Sequence, residues 1–450
     1  MNNHVYSFRS RAAKAFCKIG TQLLIAMAVS NGLAIGSLAQ TNSDATYSPI
    51  HRGPDTGDGR NGRDPLSVRN GVLLKDGAPY RAIGFNYYDA FNRFLLNGDT
   101  SYRAGFQQLA AAGIPFIRFQ VLPFWPRDAR TYVDNPQALY TALDTFVADA
   151  ASYHIGLVPT IFWNFSTVPD IKGEPVSAWG NFASKTRAFS DSFAQQLAAR
   201  YADSPTIWIW EMSNEVNDWS DTSFGYKAWP ISTAYGTPAT RTPADNYTSA
   251  QLLSAYSGFA GAIHTGDPTR LASSGYDVPR NNAFNLSRNG SYTQDTVSQF
   301  YSVVATQYQP GDVVSMHVYP VSFFNRNLLR FGDMPVTAEQ FLPVAQAAST
   351  AVLKPLFIGE YGVSDDGSAP YSTPELSFSE FQSMTAAIVA TLSSGPACSG
   401  LAAPWVYDFS FQNGMHGNYD ITATNAHANR LTVVSEANRQ LQQSPCHGDH

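Results

Sequence analysis

The chain has 450 residues, 44% of them hydrophobic, enough to bury one large core or two average ones. Charged residues make up only 14%, the formal charge is −6, and no long basic run occurs, which excludes nucleic acid as the expected partner. Aromatic residues take up the difference: 23 Tyr, 28 Phe and 8 Trp pack cores, and they also offer flat, hydrogen-bonding faces of the kind that stack on sugar rings.

At the N-terminus Arg9, Arg11, Lys14 and Lys18 precede an apolar stretch that ends in Ser37-Leu38-Ala39, the pattern of a cleaved export signal over residues 1–39. Ser30, Asn31 and Gly32 interrupt the stretch, which sets it apart from a clean membrane span, an uncleaved anchor being the alternative. The expected product is a secreted or periplasmic protein with no membrane contact in its mature form. Loss of four positive charges takes the net charge from −6 to −10. Removal of Cys17 with the signal leaves Cys398 and Cys446 as an even pair in an oxidising compartment, where one disulfide or two free thiols are both open. Residues 40–64 are rich in Gly, Asp, Ser and Pro and read as a flexible linker, which leaves 65–450 as one domain.

From Leu66 the dipeptides Asn70-Gly71 and Asp76-Gly77 separate short apolar runs and predict a hairpin. Eight apolar β-rich runs follow, over 81–86, 115–119, 157–162, 206–211, 270–274, 313–317, 356–360 and 401–406. Helical stretches alternate with them: 104–112, then 136–152 with Leu139, Leu143, Phe146, Val147 and Ala150 on one face, then Phe189, Phe193, Leu197 and Tyr201 at four-residue spacing. Eight strand–helix units predict an α/β fold, a (β/α)8 barrel with an N-terminal hairpin and long βα loops. A doubly wound sheet would normally carry a Gly-rich phosphate loop after its first strand, and Gly84-Phe85-Asn86-Tyr87-Tyr88 is not one.

In such a barrel chemistry sits at the C-terminal ends of the strands. There the sequence places Asn86, Arg118, Asn214 and Glu215, His317 and Tyr319, Glu360, and Trp405. Two carboxylates facing one cavity are what glycosidic cleavage needs, since one protonates the leaving oxygen while the other attacks the anomeric carbon. Glu215 and Glu360 are the candidates. Glu211, four residues before Glu215, reads as an acceptor for Arg118 or another cation.

Trp210-Glu211-Met212-Ser213-Asn214-Glu215 resembles the strand-four motif of clan A glycoside hydrolases, and Ile358-Gly359-Glu360-Tyr361-Gly362 resembles their strand-seven motif. Family 5, the cellulase and β-mannanase group, is the most similar, over about residues 66–440. The resemblance implies a retaining double displacement with Glu215 as acid/base, Glu360 as nucleophile and Asn214 donating to the sugar 2-hydroxyl. It also implies that Arg118 and Tyr319 hold Glu360 in its charged form, that Trp405 packs under the sugar, and that His317 contacts substrate or orients Tyr319. Asn86 joins them as a substrate contact. Where many members carry a strand-three His, this chain has Trp163-Asn164, and Trp163 is read as a platform. Trp125, Trp219 and Trp229 lie in long loops, as sugar platforms or as loop anchors.

Among strand-end histidines only His317 qualifies as a metal ligand, so neither metal nor cofactor is expected. The expected partner is a β-linked polysaccharide or oligosaccharide. His317-Val318-Tyr319-Pro320 and Trp163-Asn164 resemble β-mannanases more than cellulases, which favours endo-β-1,4-mannanase over a cellulase or an exo-β-glycosidase. A sugar-binding barrel without chemistry is the rival from another class.

Overall fold

The computed structural model describes residues 65–320, 330–365, 371–394, 398–410 and 418–443. It opens with strands β1 (Ser67–Arg69), β2 (Val72–Lys75) and β3 (Ala78–Pro79), paired antiparallel. Both turns are left-handed at two successive positions, Asn70 (φ 53°) with Gly71 (φ 80°) and Asp76 (φ 52°) with Gly77 (φ 77°), as two-residue hairpin turns require.

The barrel staves follow: β4 (Arg81–Ile83) with β5 (Phe85–Asn86), β6 (Phe116–Gln120), β7 (Gly156–Phe162), β8 (Ile209–Ser213), β9 (Leu271–Ser273), β10 (Val314–Val318), β11 (Leu356–Tyr361) and β12 (Gly400–Pro404). They pair in parallel as β10-β11-β12-β4 and as β5-β6-β7-β8-β9. β4 and β5 are one run of chain interrupted at Gly84, so the first of these sheets continues directly into the second. The remaining seam, between β9 and β10, is held by Asp312, whose N–H donates to the Ala272 carbonyl at 2.9 Å and whose carboxylate accepts the Ala272 N–H at 2.8 Å. The eight runs read from sequence are the eight staves. The fourth moves furthest: ladder pairing begins at Ile209 rather than at 206, with Ile207 making only an isolated bridge to Leu157.

Alternation along each strand divides the core in two. One parity, with Ile117, Leu157, Trp210, Ala272, Val314 and Ile358, faces the surrounding helices. The other, with Ala82, Phe116, Val158, Ile209, Leu271, Phe357 and Leu401, fills the barrel interior, closed from below by Leu66 and Leu73 of the hairpin. Two residues further along the same inward row come Arg118, Glu211 and Ser273, so the interior passes from apolar to polar toward the strand C-termini.

Helices bury their apolar stripes on the outward parity. The helix Gln137–Ser152 packs with Leu139, Leu143, Phe146, Val147 and Ala150 buried, the face read from its periodicity. In Lys185–Arg200, Phe193 and Leu197 are buried. No helix among the described residues is long and apolar enough to cross a membrane. Cys398 is disulfide-bonded, while its expected partner Cys446, like the signal and the linker, lies outside the described residues.

Candidate active site

Arg118 organises the site from the barrel axis. It has no exposed surface, and its guanidinium donates to Glu211 Oε1 (2.6 Å), Asn86 Oδ1 (2.9 Å), Glu360 Oε1 (2.7 Å) and Asn214 Oδ1 (2.8 Å). Trp163 covers it, with the cation 4.4 Å from the ring centroid. Burial works against this charge, but the Glu211 and Glu360 carboxylates outweigh it and hold Arg118 above its ordinary pKa. Glu211 is the cation acceptor expected of it, and its carboxylate also takes hydroxyls from Thr160 (2.8 Å) and Ser273 (3.0 Å).

Glu360 reaches the inward row through a bulge. Met316 pairs with Ile358 but His317 pairs with Glu360, so Gly359 is the additional residue that shifts the side-chain parity by one. A Cβ on Gly359 would lie 2.8 Å from His317 Nε2, and only glycine fits that bulge against the imidazole. The Glu360 carboxylate takes Arg118 on one oxygen and the Tyr319 hydroxyl on the other at 2.8 Å. Both partners favour the charged form of Glu360, as expected of them, but burial outweighs them. Burial pushes it up and the Glu215 charge adds to that, against His317, Arg118 and the Tyr319 hydrogen bond.

Glu215 lies just past β8 in a left-handed conformation (φ 52°, ψ 25°), uncommon for a residue with a side chain. Its N–H donates to the Gly275 carbonyl at 2.8 Å. Gly275 is itself left-handed (φ 69°), and a Cβ there would meet the Ser213 carbonyl at 1.8 Å, so this turn against β8 requires glycine. Burial raises Glu215 to about 7, with Arg118 pulling the other way. The side chain still keeps about a third of its surface open (35%), which leaves it reachable from the cleft.

His317 Nδ1 lies 3.0 Å from Glu215 Oε1 and 3.7 Å from Glu360 Oε1. Burial lowers its pKa to about 4, so it is neutral near pH 7 and bridges the carboxyl groups without adding a charge. One oxygen from each glutamate and a nitrogen of His317 lie within 4.8 Å of one another, the one group of three such ligand atoms among the described residues. Those three atoms could hold a divalent ion in reach alone, but the Arg118 cation bonds the same Glu360 oxygen that faces His317, which opposes a second cation there.

Three residues read from sequence as candidate substrate contacts are placed differently. Asn86 is wholly buried, its amide donating to the Gly359 (2.9 Å) and Ala403 (3.1 Å) carbonyls, so it ties β5 to β11 and β12. Arg118 is likewise sealed from the cleft. Trp163 is only 8% exposed because the guanidinium occupies its face, which makes it a cover for Arg118 more than an open platform. Asn214 is half-buried, with its carbonyl on Arg118 and its amide nitrogen bonded to no described residue. Trp405 is also half-buried and belongs to an aromatic wall that sequence reading missed. Tyr88 joins Trp163 (4.7 Å), Trp405 (5.6 Å) and Phe409 (4.9 Å) between ring centroids. The double aromatic of Tyr87-Tyr88 directly after the first strand was its only sequence signal. Trp229 is buried against Phe165 and Tyr247, and Trp125 is stacked on Tyr235, so both brace loops.

A parallel eight-stave barrel with this carboxyl pair at its C-terminal mouth defines a glycoside hydrolase. The family model described as Cellulase (glycosyl hydrolase family 5) matches residues 76–388, and the chain belongs to that family. No curated protein matches it. Among solved structures, the endo-1,4-β-mannanase from Rhizomucor miehei superposes with a TM-score of 0.60 at 17% identity, covering 85% of this chain and 100% of that one. A family 5 mannosidase from the same organism, in complex with mannosyl-fructose, gives 0.57 at 16%, covering 84% and 97%. The endo-β-1,4-mannanase from Thermotoga petrophila gives 0.54 at 13%, covering 83% and 79%. At these identities the likeness speaks for the fold.

Proposed function

We propose that the protein is a retaining β-glycanase acting on β-mannan, with Glu360 as nucleophile and Glu215 as acid/base. The observation that carries this reading is the carboxyl separation: oxygens of the two glutamates lie within 4.8 Å. Retaining enzymes hold the pair about 5–5.5 Å apart, while inverting enzymes need about 6.5–9.5 Å to seat a water between them. Only the shorter distance lets one carboxylate attack the carbon whose leaving oxygen the other protonates.

In the first step a Glu360 oxygen bonds the anomeric carbon, the glycosidic bond breaks, and the Glu215 proton passes to the departing oxygen. Tyr319 and Arg118 aim the nucleophile, and the Asn214 amide nitrogen donates to the sugar 2-hydroxyl. In the second step Glu215, now anionic, takes a proton from water, whose oxygen attacks the same carbon and releases Glu360. His317, neutral at Nδ1 between the two groups, accompanies the change of proton on Glu215 without holding a charge of its own. The exposed side of the Tyr88–Trp405–Phe409 wall offers the apolar faces on which a sugar ring packs.

The mannan assignment rests on the His317-Val318-Tyr319-Pro320 and Trp163-Asn164 stretches, and it agrees with the mannanase and mannosidase neighbours. The same reading takes the enzyme as exported, its first 39 residues removed. Proton NMR of the first-formed product tests the mechanism: retained configuration is expected, and inversion rules out a covalent intermediate. Release of short oligosaccharides from mannan, above carboxymethyl cellulose, mixed-linkage glucan and xylan, is the expected substrate order. Faster turnover of cellulose would reassign the substrate and leave the mechanism standing.

A further inference from the structure

Beside Tyr319 lies a small open crevice walled by Val278, Val318, Val336 and Phe341. Tyr319 forms one side, Arg330 lines it, and Thr337 and Ala338 begin the helix Ala338–Ala351 at its rim. Arg330 is 4% exposed and uses Nη2 on the Pro279 carbonyl, but Nε and Nη1 are buried with no hydrogen-bond partner among the described residues. A buried N–H without an acceptor is costly, and here two belong to one cation. Phe300, Phe331 and Phe341 face the guanidinium at 5.4, 5.2 and 5.7 Å, attracting the charge but accepting none of its in-plane hydrogens. The second feature is independent. Thr337 and Gln340 form a capping box, the hydroxyl accepting the Gln340 N–H and the Gln340 side-chain oxygen accepting the Thr337 N–H, so that the Ala338 and Glu339 N–H groups are the ones left without intrahelical acceptors at the positive end of a 14-residue helix.

We propose that this crevice binds a small monovalent anion, a carboxylate or a halide, between Arg330 and the helix N-terminus. Burial lowers Arg330 to about 10, which leaves it cationic at neutral pH. The acidic groups around it do not fill the role. Asp295 already accepts the N–H groups of Phe284 (2.8 Å) and Asn285 (3.0 Å), and burial pushes Asp277 well above the ordinary carboxylate range, which weakens it as a counter-charge. Glu339, in the first turn of the helix, interacts with Glu380. Because Tyr319 walls the crevice and also bonds Glu360, occupancy would be felt at the nucleophile. The anion has two sources: a free ion, or the carboxylate of a uronic acid carried on the glycan.

Bromide-soaked crystals of the whole protein test the site directly, and an anomalous peak within hydrogen-bonding distance of Arg330 is expected. In parallel the thermal midpoint should rise saturably, by about 2 °C, with chloride or formate against sulfate at equal ionic strength. Arg330→Gln should abolish both effects. Should that variant fail to fold, Val336→Phe fills the crevice while keeping the cation, and should abolish them as well. Comparing uronate-bearing with plain glycan separates the sources. A several-fold preference in kcat/KM that Val336→Phe removes assigns the site to substrate, and equal rates with intact halide binding assign it to a free ion. Neither peak nor saturable midpoint change in the wild-type protein overturns the proposal, whatever the catalytic assignment.

Discussion

A carboxyl group can serve as acid in one step and base in the next only if its proton affinity sits near the working pH, and burial places Glu215 there, at about 7. In its proposed role Glu215 starts protonated, so kcat/KM on a natural glycan should fall as pH rises through about 7. Glu215→Gln should remove that limb and lower kcat by about 10³-fold or more. An aryl glycoside with an acidic leaving group should recover most of its first-step rate in this variant, since its departing oxygen needs little protonation. An unchanged alkaline limb would argue against Glu215 as the acid. Asn86→Ala should lower kcat about 10–100-fold with KM little changed, because its amide joins two carbonyls beneath Glu360 and touches no solvent. A rise in KM alone would return Asn86 to the substrate contacts. Glu215, Glu360, Asn214 and Tyr319 were legible as residues at strand ends. Depth was not legible: an Arg or Asn at a strand terminus reads the same whether it points into the cleft or, like Arg118 and Asn86, into the sealed layer below.

At the scale of elements, two local devices hold the site. The Gly275 turn supports the left-handed Glu215, so Gly275→Ala, with a Cβ 1.8 Å from the Ser213 carbonyl, should cost about 2 kcal/mol or more of stability and reduce activity further than that loss of fold explains. Urea denaturation beside kinetics at a temperature where the variant is folded separates the two effects. Asp312 closes the β9–β10 seam and also bonds His264 Nε2 at 2.8 Å. Asp312→Ala should cost about 1–3 kcal/mol by leaving the Ala272 N–H unmet. A midpoint shift near zero would mean that packing alone closes the barrel. The staves and the helix Gln137–Ser152 could be read from periodicity, since burial on one face leaves a repeat in the chain. The bulge at Gly359 could not, because a one-residue change of register is a relation between two strands.

For the whole molecule, the protonation of buried acids ties stability to pH. Glu215 and Asp89 are both raised to about 7 by burial, and burial pushes Asp218 and Asp277 well above the ordinary carboxylate range. A carboxyl whose folded pKa exceeds its unfolded value contributes stability in full below the unfolded value and loses it as pH rises through the folded one. His317 acts in the opposite sense: lowered to about 4, it withdraws support as pH falls below the ordinary His range. The acids outnumber it, so the thermal midpoint should decline from pH 5 through about pH 7, where Glu215 and Asp89 give up their protons. A midpoint that climbs steadily over that window contradicts the buried, protonated state of these groups.

The sequence by itself determined the alternation of strand and helix, the inward and outward faces, and two glutamates at strand ends three staves apart in chain order, since each is written in local spacing and residue type. Tertiary structure alone decided how deep each polar residue lies, that Arg118 is covered by Trp163, that Tyr88 completes an aromatic wall, and that the carboxyl oxygens come within 4.8 Å. Distances of that kind depend on how a closed ring of staves sets residues more than a hundred positions apart against one another, and a linear repeat carries no record of that closure.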